Sequence, residues 1–457
     1  MLFNSFVFLL AFLPAALILH GAVARAAPGW RLPLLVALSF VFYGWWDLRF
    51  VPLLAGSILV NWLIARAFTR RAVRWLVPAA IVANLALLGL FKYLDFLFGL
   101  VGEVGGFEAP RLGLALPLGI SFFTFHHIMY LADLRAGRAP PFGLVRYALY
   151  IAFFPQVLAG PLVRWSEVMH QFDARPADRP DAAERFARGL MLLALGLAKK
   201  VFLGDPLAAY VNPVFQAAAR GGAVSVAEAW QAALGFTFQI YFDFSGYTDM
   251  ALGIALMFGI VLPQNFDAPY RAASLRDFWR RWHMTLSRFL RDYLYIPLGG
   301  NRHGLPRQVG ALFATMALGG LWHGAGLPFL AWGAVHGLGL GAGLLARRAG
   351  LALPAALGAV FTFTFVLLTW VLFRAPSLEA ALYVYKAMLG FAPWGGEVKW
   401  RAIAIAAAVA TIGPTAWTLV HRLPPRRSLA VATAVLFVAV LLKIGDDANL
   451  EFIYFQF

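Results

Sequence analysis

Cysteine is absent from this chain of 457 residues, and its absence excludes several kinds of chemistry. A chain without cysteine has no disulfide bond, no thiolate metal site and no cysteine nucleophile to carry an acyl or phosphoryl group. Covalent catalysis in this protein therefore requires a different nucleophile.

Charged residues are also scarce. They make up 13% of the chain, against 61% hydrophobic residues, and the mean hydropathy is +0.73. Soluble domains have about 25% charged and about 45–50% apolar residues. Because so few polar side chains cannot cover a globule that faces water, the composition indicates a polytopic integral membrane protein.

Acidic residues are scarcer than basic ones. The chain has 22 Asp and Glu against 38 Lys and Arg, which gives a net charge of +16. In an apolar chain this balance favours basic cytoplasmic loops, such as residues 66–74, or an anionic ligand. We do not expect nucleic acid as a partner.

Apolar stretches long enough to cross a bilayer recur along the whole chain. We expect an all-α protein with about 10–13 membrane segments, some of them re-entrant, in a single multi-pass domain over residues 1–457. The first stretch lacks the positively charged start of a signal peptide, so we interpret it as an uncleaved span. The candidates are residues 3–20, 32–46, 50–66, 75–92, 113–132, 143–160, 189–204, 229–262, 308–322, 326–345, 354–374, 403–420 and 428–444.

Residues 271–307 form the most basic segment. It contains eight arginines and two aspartates, so it carries +6 of the net charge of +16. Its apolar side chains recur at helical spacing and its arginines fall on the opposite face, which predicts an amphipathic or re-entrant helix at the membrane interface. Glycines from Gly299 onward should end this helix. The apolar positions are Phe278, Trp282, Leu286, Phe289 and Tyr293.

His323 lies in the apolar block LGGLWHGAG, where ionisable groups are costly and are functional candidates by default. The surrounding glycines allow close approach of a backbone or a ligand. A neutral imidazole in such a pocket can act as a general base near neutral pH. A core histidine that is bonded to a carbonyl of another helix fits the pattern equally well.

The other histidines give weaker signals. In the predicted helix of residues 271–307, His283 lies between the aromatic face and the arginine face. There it would face either a cavity or the membrane interface. His126 and His127 point about 100° apart on a helix, so at most one of them lines a pocket. For His336 we favour packing. No pair of histidines has the spacing of a metal site, so no protein-bound metal is predicted.

Two carboxylates, Asp243 and Asp249, lie in the long apolar run YFDFSGYTDMALG. Gln239 and Ser245 each precede one of them by four residues and share its helical face. We favour buried ion pairs with arginines of residues 271–307 over acid catalysis. The chain has no Gly-x-Ser-x-Gly elbow, P-loop or dinucleotide fingerprint.

These residues leave two classes of protein open. One is a membrane enzyme in which a histidine base acts on an anionic cytosolic substrate. The other is an ion-coupled transporter whose buried aspartates and histidines relay ions. Transporters often contain paired half-repeats with broken helices, and the sequence shows none.

Several blocks occur together and in a fixed order. They are FYGWWDLRF, LPLGISFFTF, FFPQVLAGPLVR, FDFSGYTDMALGIALMFGI, QNFDAPYRAASLRDFWRRWHMTLSRFLRDYLYIPLGGNR, TMALGGLWHGA and the terminal FIYFQF. In this order the chain resembles, nearly end to end, the membrane-bound O-acyltransferase (MBOAT) family, and within it the bacterial alginate O-acetyltransferase type. The resemblance implies a helical membrane fold that is funnelled and thin at its centre.

The resemblance also implies a catalytic pair, His323 as the principal residue and His283 as its partner. Acetyl-CoA would be the donor substrate, with no bound cofactor, and its phosphates would be attracted to Arg280 and Arg281. His323 would deprotonate the acceptor hydroxyl, and His283 would orient the thioester or stabilise the oxyanion. A covalent acyl-histidine is a further route that the resemblance leaves open. The additional substrate-binding candidates are Trp279, Trp322, Asp243, Ser245 and the asparagine of the QNF motif, Asn265 beside Phe266.

The implied setting is the bacterial inner membrane. The acceptor would be an extracytoplasmic polysaccharide, alginate or a similar exopolysaccharide, reached through a partner acetyltransferase outside the cytoplasm. Membrane lipids and acetyl-CoA are the other expected partners. An alternative within the same family is transfer of D-alanine, or another acyl group, from a carrier-protein thioester to a cell-wall polymer.

Overall fold

A computed structural model describes residues 1–173, 180–396, 398–424 and 426–446. Within these ranges the chain is mainly helical and contains no β-strand, so the all-α prediction is confirmed. The terminal FIYFQF block lies outside the described residues. The α-helices in chain order are α1 Leu13–Ala26, α2 Arg31–Gly44, α3 Val51–Arg71, α4 Leu76–Lys92, α5 Leu94–Gly105, α6 Ile120–Arg135, α7 Leu144–Ala152, α8 Trp165–Val168, α9 Ala182–Ala198, α10 Asp205–Ala219, α11 Val226–Met257, α12 Leu275–Arg281, α13 Met284–Leu290, α14 Leu305–His323, α15 Leu327–Arg348, α16 Ala355–Arg374, α17 Leu378–Met388, α18 Trp400–Thr411, α19 Ala416–Arg422 and α20 Arg427–Asp446.

Five helical segments of the described chain are long and apolar enough to cross a membrane, and two bent helix pairs raise this number to seven. The pairs are α4 with α5, bent by 64°, and α18 with α19, bent by 50°. This is fewer than the predicted segments, because several apolar stretches form short helices. The stretch 143–160, for example, is helical only from Leu144 to Ala152. The five segments are Val7–Ala26, Leu48–Arg71, Leu327–Arg348, Ala355–Arg374 and Arg427–Ile444.

The chain divides into two compact units that are interleaved along the sequence. Unit 1 comprises the described parts of Met1–Leu197, Tyr247–Pro263 and Val420–Asn449, and unit 2 comprises those of Ala198–Gly246 and Gln264–Leu419. Helix α11 therefore contributes its first part to unit 2 and its last part to unit 1. The predicted single domain stays a prediction.

Unit 1 contains buried polar pairs inside apolar helices. The amides of Asn61 and Asn84 are hydrogen-bonded to each other, at 3.2 and 2.7 Å. The His126 ring is bonded to the Phe122 carbonyl at 2.8 Å and accepts the Val163 N–H at 3.2 Å. Such bonds satisfy groups that would be costly to leave unpaired in hydrocarbon, so His126 has a packing role.

In unit 2 the hairpin of α14 and α15 is packed unusually closely. A Cβ atom on Gly320 would lie 2.2 Å from the Phe329 carbonyl oxygen, and one on Gly333 would lie 2.2 Å from the Met316 carbonyl oxygen. Small residues allow two helix backbones to approach in this way. The close packing fixes His323, the last residue of α14, at the turn of the hairpin.

The predicted continuous helix in residues 271–307 is wrong in one respect. The segment breaks between α12 and α13, at His283, whose backbone is left-handed with φ 43° and ψ 52°. The predicted apolar face is correct, since Phe278, Trp282 and Leu286 are each only 1% exposed. Helical periodicity did not reveal the break, because a residue outside the segment, Asn265, holds it.

Candidate active site

The structure brings His283 and His323 together in unit 2, although they are forty residues apart in the sequence. Their ring centroids are 6.4 Å apart and the rings are inclined by 58°. His283 is 0% and His323 is 5% exposed. Trp322 contacts both rings, with centroid distances of 6.1 Å to His283 and 4.9 Å to His323.

The side chain of Asn265 holds the His283 ring through its Nδ1 atom. The Asn265 Oδ1 atom accepts hydrogen bonds from the Thr285 N–H at 3.1 Å and the Thr285 hydroxyl at 2.9 Å, and it lies 3.2 Å from His283 Nδ1. The Asn265 carbonyl also accepts the Met284 N–H at 2.9 Å. These bonds fix the left-handed turn that begins α13.

The surroundings of the His283 ring are apolar. Phe244 packs against it edge-on, with ring centroids 4.8 Å apart. Burial lowers the pKa of the His283 imidazole to about 3, because a charged ring would lose its hydration there. His283 is therefore neutral at physiological pH. Its Nε2 atom is buried and has no hydrogen-bond partner in the described part of the chain.

Aromatic rings surround His323. The Trp332 and Phe373 rings lie 5.3 and 5.2 Å from its ring centroid. Such an apolar enclosure excludes water from a reacting group. His323 also ends α14, and the carbonyl end of a helix carries partial negative charge that stabilises an imidazolium. The position suits a side chain that takes up a proton during a reaction.

Hydrogen-bond donors accumulate around the histidine pair without partners. The Asn265 Nδ2 atom and the indole nitrogens of Trp332 and Trp370 are buried and unbonded as far as the structure describes the chain. The two indoles are stacked, with centroids 5.7 Å apart. Buried polar groups in folded proteins are nearly always hydrogen-bonded. Several buried N–H donors without partners therefore suit a substrate that supplies acceptor oxygens.

The two predicted donor-binding arginines, both on α12, differ in their surroundings. Arg281 forms ion pairs with Asp277 at 3.0 Å and Asp267 at 3.8 Å. Arg280 is exposed and, like Arg276, lies within electrostatic reach of Arg347 on α15. We call Arg276, Arg280 and Arg347 the arginine cluster. None of its members has a carboxylate partner among the described residues, so the cluster can receive an anion more readily than Arg281 can.

Trp279 has its polar group already bonded. Its indole N–H donates to His336 Nδ1 at 3.2 Å, and His336 Nε2 lies 3.0 Å from the Thr369 hydroxyl. Trp279 can therefore offer a substrate only its ring, and it is 8% exposed. His336 has both nitrogens bonded, in keeping with the packing role that the sequence favours.

Asp243 forms the predicted kind of buried ion pair, but with Lys200. The Lys200 Nζ atom lies 2.7 Å from Asp243 and 2.9 Å from Asp205. Burial alone lowers the pKa of Lys200, yet the two carboxylates outweigh this effect and raise it. Ser245, two residues after Asp243, accepts a hydrogen bond from Lys199 at 3.4 Å. Sequence reasoning missed Lys200, although two adjacent lysines in an apolar stretch are a visible signal.

No group of three or more His, Asp and Glu side chains that could hold a metal ion occurs in the described ranges. The residues of the site offer groups for acid–base and hydrogen-bond chemistry. These groups are a pair of buried histidines, buried donors without partners in the described chain, and the arginine cluster of the same unit.

A buried histidine pair in an apolar helical fold is what the resemblance to the membrane-bound O-acyltransferases implies. The family model "MBOAT, membrane-bound O-acyltransferase family" matches residues 113–384, a range that includes both histidines and all the ring contacts described above. The chain belongs to this family and is a membrane-bound O-acyltransferase. The predicted family is thus confirmed.

Curated relatives align over most of the chain. The probable alginate O-acetylase AlgI of Pseudomonas aeruginosa is 40% identical over 86% of this chain and 76% of its own length. The same enzyme of Pseudomonas putida is 37% identical over 100% of both chains. The peptidoglycan O-acetyltransferase of Helicobacter pylori is 39% identical over 85% of this chain and 80% of its own. A teichoic acid D-alanyltransferase of Streptococcus thermophilus is 29% identical over 49% of this chain.

Proposed function

We propose that this protein transfers an acetyl group from cytosolic acetyl-CoA to a hydroxyl group destined for an extracytoplasmic polysaccharide, with His323 as the general base. The observation that carries the proposal is the buried pair of His283 and His323 inside an aromatic enclosure. The names of the aligned relatives support an acetyl group and a carbohydrate acceptor. A bacterial inner membrane is the setting that this proposal requires.

The reaction is a single acyl transfer. His323 takes the proton of the acceptor hydroxyl, and the hydroxyl oxygen attacks the carbonyl carbon of the thioester. The tetrahedral oxyanion collapses, the carbon–sulfur bond breaks, and the coenzyme A thiolate takes the proton back from His323. The products are an acetyl ester, free coenzyme A thiol and a neutral histidine.

The arginine cluster supports the donor side of this proposal. Acetyl-CoA carries phosphate groups, and clustered guanidinium groups bind phosphate through charge-assisted hydrogen bonds. Arg280 lies three residues before His283 in the sequence, so one short segment carries both a phosphate-binding charge and a reacting-site residue. The thioester arm would extend from this cluster toward the histidines.

The acceptor side rests on the relatives alone. Alginate and peptidoglycan, named for the aligned proteins, are both acetylated on sugar hydroxyls. An exopolysaccharide of the alginate type is our first choice of final acceptor, with an extracytoplasmic acetyltransferase relaying the acetyl group. D-alanyl transfer from a carrier protein is the runner-up, since the D-alanyltransferase relative aligns with only half of this chain.

Replacing His323 tests the proposal directly. In membranes supplied with radiolabelled acetyl-CoA and a candidate acceptor, His323→Ala should abolish acetyl transfer, because the acceptor hydroxyl loses its base. The matched control is His303→Gln, at an exposed histidine of the same unit, which should transfer acetyl at the normal rate. Normal transfer by a folded His323→Ala protein would refute the assignment.

A further inference from the structure

We infer that Asn265 is a positioning residue that holds His283 with its proton on Nδ1, so that His283 meets the substrate through the lone pair of Nε2. In this role His283 accepts a hydrogen bond from an N–H or O–H group of the substrate and does not donate one to the thioester oxygen. The inference rests on the proposed function and assigns a role within it.

The first step of the argument is the identity of the Asn265 atom. A backbone N–H can only donate, and the Thr285 N–H points at Asn265 Oδ1 at 3.1 Å. The atom at this position is therefore an acceptor, which excludes the flipped amide that would place a donor there. Because Oδ1 accepts, the His283 Nδ1 atom 3.2 Å away must donate.

The second step is the state of the other nitrogen. Burial keeps the His283 ring neutral, and a neutral imidazole carries one proton. With this proton on Nδ1, the Nε2 atom has only its lone pair. It is fully buried and has no partner among the residues that the structure describes, so it is available to a substrate donor.

His336 carries its proton on the other ring nitrogen, so the tautomer assigned to His283 depends on the local hydrogen bonds. There the Trp279 N–H donates to Nδ1, which places the proton on Nε2, in the opposite tautomer. The Nε2–H then donates to the Thr369 hydroxyl, whose own proton goes to the Val366 carbonyl at 2.9 Å. In unit 2, His336 thus has both ring nitrogens hydrogen-bonded, whereas His283 Nε2 has no partner among the described residues.

The backbone at His283 is the third observation. Its φ of 43° is unusual for a residue other than glycine, and such conformations cost free energy unless the surroundings impose them. Asn265 imposes it, through its side-chain oxygen and through its carbonyl bond to the Met284 N–H. One residue therefore fixes the backbone, the ring orientation and the tautomer of His283.

Few charges face the His283 ring. The rings in contact with it belong to Phe244, Phe266, Trp322 and His323, of which only His323 titrates. Next to Phe244, Asp243 is paired with Lys200 at 2.7 Å. A charge introduced at residue 265 would therefore act on His283 without strong competition from these neighbours.

Asn265→Asp tests the inference through a pH profile. The carboxylate keeps the acceptor oxygen and the Nδ1 proton, but its charge favours the imidazolium and so places a proton on Nε2 as well. We expect the acidic limb of the rate profile to shift upward by about one unit or more, so that Asn265→Asp loses acetyl transfer at a higher pH than wild type and recovers it as the pH rises. Asn301→Asp, which adds the same charge at an exposed site of this unit, should leave the profile unchanged.

Two outcomes would overturn the inference. If acetyl transfer by Asn265→Asp rose as the pH fell, the protonated ring would be the active form and His283 would act as a donor. If its activity were reduced equally at every pH, Asn265 would not act through the protonation of His283. Should Asn265→Asp fail to fold, as judged by melting in detergent, Thr285→Val provides a second variant. It removes the Thr285 hydroxyl but keeps the backbone N–H bond that makes Asn265 Oδ1 an acceptor. The tautomer argument predicts that its pH profile matches wild type, and a shifted profile would contradict the argument.

The result can be separated from a failure of the proposed function. If the wild-type protein transfers no acetyl group from acetyl-CoA, the proposed function fails before Asn265 is tested. If the wild-type protein transfers acetyl and His323→Ala does not, an unshifted Asn265→Asp profile contradicts the inference alone.

Discussion

The indole of Trp332 packs 5.3 Å from the His323 ring and keeps a buried N–H without a partner in the described chain. If His283 only accepts hydrogen bonds, the oxyanion of the acyl transfer needs a donor elsewhere. Trp332 fits that role because its ring contacts His323, the proposed base, and its N–H has no partner in the described chain. Asn265 Nδ2 is a second buried donor in the same part of unit 2.

Trp332→Phe should show whether the Trp332 N–H is the donor to the oxyanion. The phenylalanine keeps an aromatic ring against His323 but has no N–H, and loss of one oxyanion donor lowers kcat about 10²-fold to 10³-fold in other enzymes. We expect a fall in kcat with little change in the KM for acetyl-CoA. Trp394→Phe is the control, since Trp394 is 78% exposed in the same unit. An unchanged kcat would remove Trp332 from the reaction.

Individual residues of the site differed in how far the sequence revealed them. His283 and His323 were predictable, because each lies in a block that carries a family resemblance and an intramembrane histidine is itself a signal. Trp332 and Trp370 were not, since a tryptophan at helical spacing looks like ordinary packing. They become candidate donors because their N–H groups are unpaired in the described chain, and only the three-dimensional contacts show that a donor is unpaired.

At the scale of the helix, α12 carries one arginine that is paired with carboxylates and, next to it, one that has no carboxylate partner in the described chain. Arg281 is tied to Asp277 and Asp267, whereas Arg280 belongs to the arginine cluster with Arg347. The sequence grouped Arg280 with Arg281 because adjacent residues share a motif. Their carboxylate partners distinguish the two arginines, and one of these partners, Asp267, lies outside residues 271–307.

Charge reversal within the cluster should weaken donor binding. We expect Arg280→Glu and Arg347→Glu to raise the KM for acetyl-CoA severalfold, because each replaces a phosphate-binding charge with a repelling one. The effect should shrink at high ionic strength, where exposed charges are screened. Arg220→Glu, at an exposed arginine of unit 2, makes the same charge change and should leave the KM as it is. An unchanged KM in both cluster variants would exclude the cluster from the donor site.

Helices themselves were largely predictable from apolar length, and their interruptions were not. The stretch 229–262 was expected as one segment and is one helix, Val226–Met257. Residues 271–307 were expected as one helix, yet they break at His283. Periodicity describes local side-chain pattern, whereas this break depends on bonds from Asn265, eighteen residues before it.

For the whole molecule, the family assignment and the remaining transporter interpretation make opposite forecasts. Protein reconstituted in vesicles, with acetyl-CoA on one side and acceptor on the other, should release coenzyme A and acetylate the acceptor across the membrane. Without donor it should conduct no ions, because the reaction moves an acyl group and not a charge. Ion flux in the absence of acetyl-CoA would contradict this expectation, and vesicles without protein provide the baseline.

The expected 10–13 membrane segments illustrate what composition can say about a whole molecule. Hydropathy identifies stretches that avoid water, and such stretches are either spanning helices or short helices buried among others. Length and composition qualify five to seven segments of the described chain. Helix α7, with nine residues, is too short to span a bilayer of about 30 Å on its own.

Because the two units are interleaved along the sequence, their residues are synthesised in a fixed order. Unit 1 takes its residues from both ends of the chain and unit 2 takes most of its residues from the middle. A ribosome delivers the chain from the N-terminus, so the first helices of unit 1 enter the membrane long before α20 exists. His283 and His323, by contrast, belong to a unit whose described residues are all made before that last helix. The described part of unit 2 is therefore synthesised while unit 1 is still incomplete, so nascent chains stalled before residue 420 should contain the histidine pair in an unfinished protein.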